Sequence, residues 1–179
     1  YYRYFDDCIL HFARQEDGPR LMRALESRLY RYGLEMSQPK TRQVNFTRSR
    51  KAQSFDFLGF TFYVGQSKKG HWIPKLKTSG KRRRMQLSRI SAWCREHRCR
   101  YRLLPLWRKF CRKVQGTINY YAVSWNIRNI ASFVHISEQI FFKWINRRSQ
   151  KRSLDWQQFA KFKQTHAYTR PRLMYNLHE

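Results

Sequence analysis

The feature that most constrains this chain is a pair of adjacent acids set between two strand-favouring runs. Tyr1-Tyr2-Arg3-Tyr4-Phe5 precedes Asp6-Asp7, and Cys8-Ile9-Leu10-His11-Phe12 follows. Aromatic and branched side chains suit a pleated surface and Asp tolerates turn geometry, so the stretch predicts a strand, a tight turn and a returning strand with both carboxylates at the tip. Adjacent like charges repel, and a divalent cation held by hard oxygen ligands is the simplest compensation. Mg²⁺ is the natural cation for such a tip, with Mn²⁺ as a substitute. In phosphoryl and nucleotidyl transfer, carboxylates on a rigid support hold two metal ions about 3.5–4 Å apart, which activate the attacking oxygen and steady the leaving one. The plain alternative is a solvated Asp-Asp turn.

Charge narrows the choice. The chain has 38 Lys and Arg against 11 Asp and Glu, a formal charge of +27. A compact fold carrying that much self-repulsion calls for a polyanionic partner, which makes nucleic acid the expected one. Aromatic residues make up 17% of the chain, and bases stack on such rings when single strands or loops are bound. At 179 residues there is room for one large domain or two small ones with a real core. No apolar run approaches the roughly 18 residues that span a bilayer, and the first residues do not read as a signal peptide, so a soluble, cytoplasmic protein with no membrane partner is expected. Cys8, Cys94, Cys99 and Cys111 show no disulfide framework. Cys94, His97 and Cys99 cluster, but on a helix the two thiols point about 140° apart, which argues against zinc. Because the chain opens inside a predicted strand, further sheet upstream is expected.

The order of elements predicts an α+β chain. Asp17-Gly18-Pro19 starts a helix, with Asp17 as cap and Pro19 in the first turn; Leu21, Leu25, Leu29 and Tyr32 form its apolar stripe, Gly33 its stop, and a sheet face its expected partner. A short strand, a loop holding Lys40 behind the stiff Pro39, and a strand at Gln43–Phe46 come next. Phe55 to Val64 reads as one aromatic strand with Gly59 in its middle, tolerable where another backbone or a ligand comes close. A turn from Gly65 to Gly70 leads back through His71-Trp72-Ile73, and Lys75, Lys77 and Ser79-Gly80 mark a basic linker. From Lys81 the period changes from about two to about 3.6. Helices are predicted from Lys81 through Cys94, from Pro105 to Trp125, from Ile127 past Ile145 to the basic residues Arg147, Arg148, Lys151 and Arg152, and from Leu154 to Lys163. They form a basic bundle, in which Gly116 is expected to permit a close helix crossing.

In this order the motifs resemble the group II intron reverse transcriptases, or maturases, and their bacterial relatives. Arg3-Tyr4-Phe5-Asp6-Asp7 is similar to the family's Tyr-x-Asp-Asp palm motif, with Phe5 where a small residue is usual. Gly33-Leu34 and Lys40-Thr41 continue the match, and Phe57-Leu58-Gly59-Phe60 resembles its primer grip. Gly116-Thr117-Ile118-Asn119-Tyr120-Tyr121 and Trp144-Ile145-Asn146-Arg147-Arg148 resemble the thumb, or maturase domain X, and Arg170-Pro171-Arg172-Leu173 the end of compact bacterial members.

The resemblance implies a palm end over 1–77 and a thumb over 78–179. It also implies RNA-directed DNA synthesis from an RNA template and DNA primer with dNTPs, and binding of intron RNA. Asp6 and Asp7 are then the metal ligands, Lys40 the cation near the departing pyrophosphate, and Phe57 to Phe60 the primer-end support. Arg82, Arg83, Arg84, Lys109, Arg112, Lys113, Arg147 and Arg148 are expected on nucleic-acid backbone. Tyr120 and Tyr121 cannot share one helix face, so one packs and the other meets RNA. The family's fingers and further palm aspartate lie in an upstream segment, without which this stretch is expected to be inactive. A splicing cofactor that binds RNA without polymerising is the competing expectation.

Overall fold

The computed structural model describes residues 1–150, 154–166 and 170–177. It is a mixed α+β structure with two small antiparallel sheets followed by helices. Strands β1 (Tyr2–Tyr4) and β2 (Asp7–Ile9) form the first hairpin; helix α1 (Asp17–Tyr30) and a 3₁₀ turn (Gln38–Lys40) follow. Strands β3 (Phe55–Phe57), β4 (Phe60–Gln66) and β5 (Trp72–Thr78) form a meander in that order. The bundle comprises α2 (Gly80–His97), α3 (Leu103–Tyr121), α4 (Ile127–Ile145) and α5 (Trp156–Thr165). Lys151 and Arg152, expected at the end of the third bundle helix, lie outside the described residues.

The buried aromatic cluster sits entirely in the helical half. Trp107, Phe110, Phe141 and Phe159 meet at its centre, with Trp107 and Phe110 ring centroids 5.3 Å apart and Phe110 and Phe141 4.7 Å apart. Buried residues such as Trp107, Phe110, Val114 and Ile118 on α3, and Ile130, Val134 and Phe141 on α4, recur at helical spacing and turn one face of each helix inward; burying each such ring contributes about 1.5–3 kcal/mol. Ser79 caps α2 by accepting from the Arg82 backbone N–H, and Asp155 caps α5 in a reciprocal box with Gln158. Gly33, at φ 68°, closes the end of α1, where the Leu34 N–H reaches the Leu29 carbonyl at 3.0 Å.

Several details differ from the sequence expectation: residues 34–37 form no strand, and α3 ends at Tyr121, short of Trp125, whose φ is 65°. The Phe55 to Val64 run is two strands: Leu58 and Gly59 both have positive φ (50° and 81°), which is the type I′ hairpin turn, and Phe57 pairs with Phe60 across it. Gln43–Phe46 is not a strand, because the extended chain there exchanges one backbone bond, from Gln53 N–H to the Asn45 carbonyl, and leans through Phe46 on Phe55. Lys75 and Lys77 lie within β5 instead of a linker; Pro74 is accommodated because β5 is a sheet edge. Asp17 is the first helical residue of α1, not its cap, and of the α1 residues only Gly18 is buried, so the Leu21-Leu25-Leu29 stripe stays half-exposed. Gly116 serves no close crossing, since a Cβ there would meet nothing within 4 Å.

Sheet and bundle are bolted together by a buried amide. Asn126 accepts from the Thr78 backbone N–H at 2.9 Å and donates to the Thr78 hydroxyl at 2.8 Å and the Tyr121 carbonyl at 2.7 Å. The chain's tail closes the same corner: Met174 N–H reaches the Ala122 carbonyl at 2.7 Å, and Tyr175 bridges Val123. Among the described residues no helix is long and apolar enough to cross a membrane.

Candidate nucleic-acid interface

The acidic hairpin turns one residue earlier than expected. Phe5 and Asp6 make the turn, and Asp7 already belongs to β2, paired with Tyr4. Phe5 has φ 53° and is 74% exposed, a left-handed conformation that a hairpin normally gives to glycine or asparagine. The Arg3 Nε donates to the Phe5 carbonyl at 2.6 Å, and the Tyr4 ring meets the Phe5 ring edge-on at 4.9 Å. Both Asp6 and Asp7 are exposed, and no ion pair engages either among the described residues. Two free, acceptor-only carboxylates at an open tip fit part of a Mg²⁺ ligand set, which takes one or two carboxylates and leaves other positions to water or phosphate. The described residues offer no group of three or more acidic, His or Cys side chains around them. Lys40 is exposed at the end of the 3₁₀ turn, which is held by Gln38 donating to Glu26 of α1.

The Leu58-Gly59 turn docks on the end of α3. Tyr120, 50% exposed, donates to the Leu58 carbonyl at 3.2 Å, and its ring stacks near Phe60 at 5.9 Å. Tyr121 is only 3% exposed, and its hydroxyl accepts from the Arg82 Nε at 3.2 Å. A Cβ on Gly59 would run into that hydroxyl, so the left-handed φ and the close approach both select glycine. Tyr120 ionises less readily than a free tyrosine, chiefly because of burial, then because of the neighbouring Tyr121 and Tyr4, with Arg82 opposing. The Leu58-Gly59 turn and the end of α3 line an open cavity of about 530 Å³ whose wall includes Arg82, Lys113, Gly116 and Tyr120.

The basic residues divide by environment. Arg82 is exposed at that cavity and Arg84 is exposed, whereas Arg83 is half-buried and donates to the Ser132 hydroxyl at 2.7 Å, tying α2 to α4. Arg147 lies over the Trp144 ring at 5.4 Å. Arg148 is half-buried and donates to the Tyr101 carbonyl at 3.2 Å, and burial makes its guanidinium somewhat easier to deprotonate than usual. Lys109, Arg112 and Lys113 line a second cavity of about 390 Å³ together with Trp93, His97 and Tyr101. Sequence reasoning left those three rings out of the site: Trp93 reads as core and His97 as a rejected zinc ligand. The available signal was their spacing at i, i+4 and i+8.

Residues 1–62 of the 179 match the family model for reverse transcriptase (RNA-dependent DNA polymerase). The matched stretch contains the acidic hairpin, Lys40 and the Leu58-Gly59 turn, and it supports a reverse transcriptase. Searches of curated proteins and of solved structures find no match.

Proposed function

We propose that this chain is the carboxy-terminal part of a group II intron-type RNA-directed DNA polymerase, palm end at 1–77 and thumb at 78–179. The observation that carries this reading is the Phe5-Asp6 hairpin inside the reverse-transcriptase match, which also contains the Leu58-Gly59 turn fastened by Tyr120. Asp6 and Asp7 would hold Mg²⁺, or Mn²⁺, which supplies charge neutralisation on the attacking and leaving oxygens. Lys40 offers a cation, or a proton, to the departing pyrophosphate. Phe57 to Phe60 and Tyr120 support the primer end, and exposed Arg82, Arg84, Arg112 and Lys113 take phosphates of template, primer or intron RNA. Tyr121, Arg83 and Arg148 act indirectly in this reading, because the Tyr121 hydroxyl accepts from Arg82 and one guanidinium nitrogen of Arg83 and of Arg148 donates within the protein.

The test is primer extension on an RNA template with Mg²⁺ and dNTPs, with the chain supplied together with a fingers and upstream palm segment. Asp6→Ala with Asp7→Ala should abolish synthesis while RNA binding persists. Synthesis that survives the double substitution refutes the assignment. A second reading, an RNA-binding splicing cofactor without polymerase chemistry, is favoured by the concentration of core and cation-lined cavities in the helical half. Tight RNA binding without synthesis by the unsubstituted assembly would select it.

A further inference from the structure

The two cavities share one wall residue, Lys113. Between them, the outer face of α3 presents Lys109, Arg112, Lys113, Gly116, Thr117 and Tyr120, at i, i+3, i+4, i+7, i+8 and i+11. That is one unbroken helical stripe, about 16 Å long at 1.5 Å per residue. At one end Tyr120 holds the Leu58-Gly59 turn. The other end is a ring ladder across the end of α2: Trp93 stacks on His97 at 4.9 Å, and His97 on Tyr101 at 5.9 Å with planes 4° apart. The Lys113 ammonium lies 5.2 Å from the Trp93 ring centre and that of Lys109 4.5 Å from Tyr101. Neither lysine meets a carboxylate among the described residues; the nearby Glu96 is engaged with Arg100 at 3.2 Å.

From this geometry we infer a second nucleic-acid site: a track for an unpaired strand that leaves the Leu58–Tyr120 end, runs along α3, and places a base in the Trp93-His97-Tyr101 cavity. The inference rests on the nucleic-acid reading of the chain. Three observations specify a single strand. The cavity, about 390 Å³, has the scale of a small-ligand site and suits one nucleotide. The rings are partly exposed, and lysines that turn from Trp93 and Tyr101 to a phosphate open those faces to a base free of its partner. Gly116 lies along the stripe, exposed and helical, and a Cβ there would meet nothing within 4 Å. A glycine weakens the helix although the protein leaves room for a side chain, and it keeps the floor of the track low where a strand would pass. At about 3.4 Å per stacked nucleotide the stripe accommodates roughly five nucleotides.

The experiment uses the 179-residue chain and a fluorescein-labelled eight-nucleotide single strand carrying one 5-iodouracil, made as RNA and as DNA, with a blunt duplex as competitor. The expected result is photocrosslinking to Trp93 or Tyr101 and poor competition by the duplex. Lys109→Gln with Lys113→Gln should weaken binding at least about fivefold and lower the salt slope by about 1.4, near 0.7 per lost contact. Gly116→Gln should also weaken binding while its melting temperature equals or exceeds that of the parent, which separates blockage of the track from loss of fold. The tighter of RNA and DNA identifies the strand, and either supports the track. Crosslinks confined to the Leu58–Tyr120 end, equal competition by duplex, or unchanged affinity in the lysine variant would overturn the track while leaving the polymerase reading intact. Absence of all nucleic-acid binding would overturn both.

Discussion

Replacing Asn126 by Ala should separate the sheet from the bundle. The side chain is fully buried and satisfies three groups at once: the Thr78 N–H, the Thr78 hydroxyl and the Tyr121 carbonyl. Tyr121 O keeps a second donor, the Val123 N–H at 2.9 Å, so its loss is partial. The Thr78 N–H has no such reserve. Orphaning one buried backbone donor costs about 1–3 kcal/mol, and the weakened carbonyl, the freed hydroxyl and a small void add to it, for a total of about 2–4 kcal/mol. Urea unfolding followed by the fluorescence of the six Trp residues, with far-UV circular dichroism as a two-state check, measures this as a lowered midpoint. Asn126→Asp sharpens the test. It keeps the acceptor for Thr78 but turns an oxygen toward the Tyr121 carbonyl, so at neutral pH it should be at least as damaging as Ala and should recover partly in acid, when the protonated carboxyl can donate. A loss below 1 kcal/mol for Ala, or full tolerance of Asp at neutral pH, would refute the bolt. Because Ser79 N–H bonds the Gly59 carbonyl at 2.9 Å, loosening Thr78 should also speed amide exchange at the Leu58-Gly59 turn.

Three further outcomes can be checked directly. Gly59→Ala should cost about 2–4 kcal/mol, from a left-handed φ and a Cβ driven against the Tyr121 hydroxyl, and Tyr121→Phe in the same chain should return part of it in a double-mutant cycle. Phe5→Asn should relieve the φ of 53° by up to about 1 kcal/mol, less the lost Tyr4 edge contact, and raise the exchange protection of the Tyr4 and Asp7 amides; unchanged protection would contradict the strain. Exposed Cys8 and Cys99 should react readily with a thiol reagent in the folded chain, whereas buried Cys94 reacts only on unfolding. Burial pushes the Cys94 thiol up to about 12 from 9.0, with Lys113 opposing, so the folded state keeps its proton longer than the unfolded one. Its contribution is therefore complete below about pH 9 and falls by up to about 1.4 kcal/mol per pH unit toward pH 12, a slope that Cys94→Ala should remove.

The helices were legible because a 3.6-residue stripe survives any tertiary context: the expected starts at Lys81, Pro105 and Ile127 fall within two residues of Gly80, Leu103 and Ile127. The acidic hairpin was legible from the strand-favouring side chains on either side of its turn-tolerant Asp pair. What escaped has a common cause in contacts distant along the chain. Nothing local marks Leu58 for a positive φ, so Phe55 to Val64 reads as continuous strand; it is the pairing of Phe57 with Phe60 and the docking of Tyr120 and Tyr121 that make the turn. The ring ladder crosses the end of α2, with Tyr101 beyond the helix, and gains its lysines only when α3 folds alongside. Lys75 and Lys77 looked like a linker because charge masks strand pattern at a sheet edge, where Lys77 instead lies 5.1 Å from the Tyr63 ring centre.

Charge and burial divide the molecule in a way that bears on both proposals. The basic track along α3 stands on the buried aromatic cluster, so its cations sit on a rigid floor and need no cofactor to attract phosphate. The acidic tip is the reverse case, with two exposed carboxylates on a short hairpin held by Arg3. A nucleic-acid phosphate brought along the track would be repelled by Asp6 and Asp7 unless a divalent cation bridged them. On the two proposals, binding along α3 and approach to the tip would be physically distinct steps, the first governed by monovalent salt and the second by the divalent ion. On these proposals the metal-dependent step would belong to the hairpin, whereas affinity for an unpaired strand would belong to the helices.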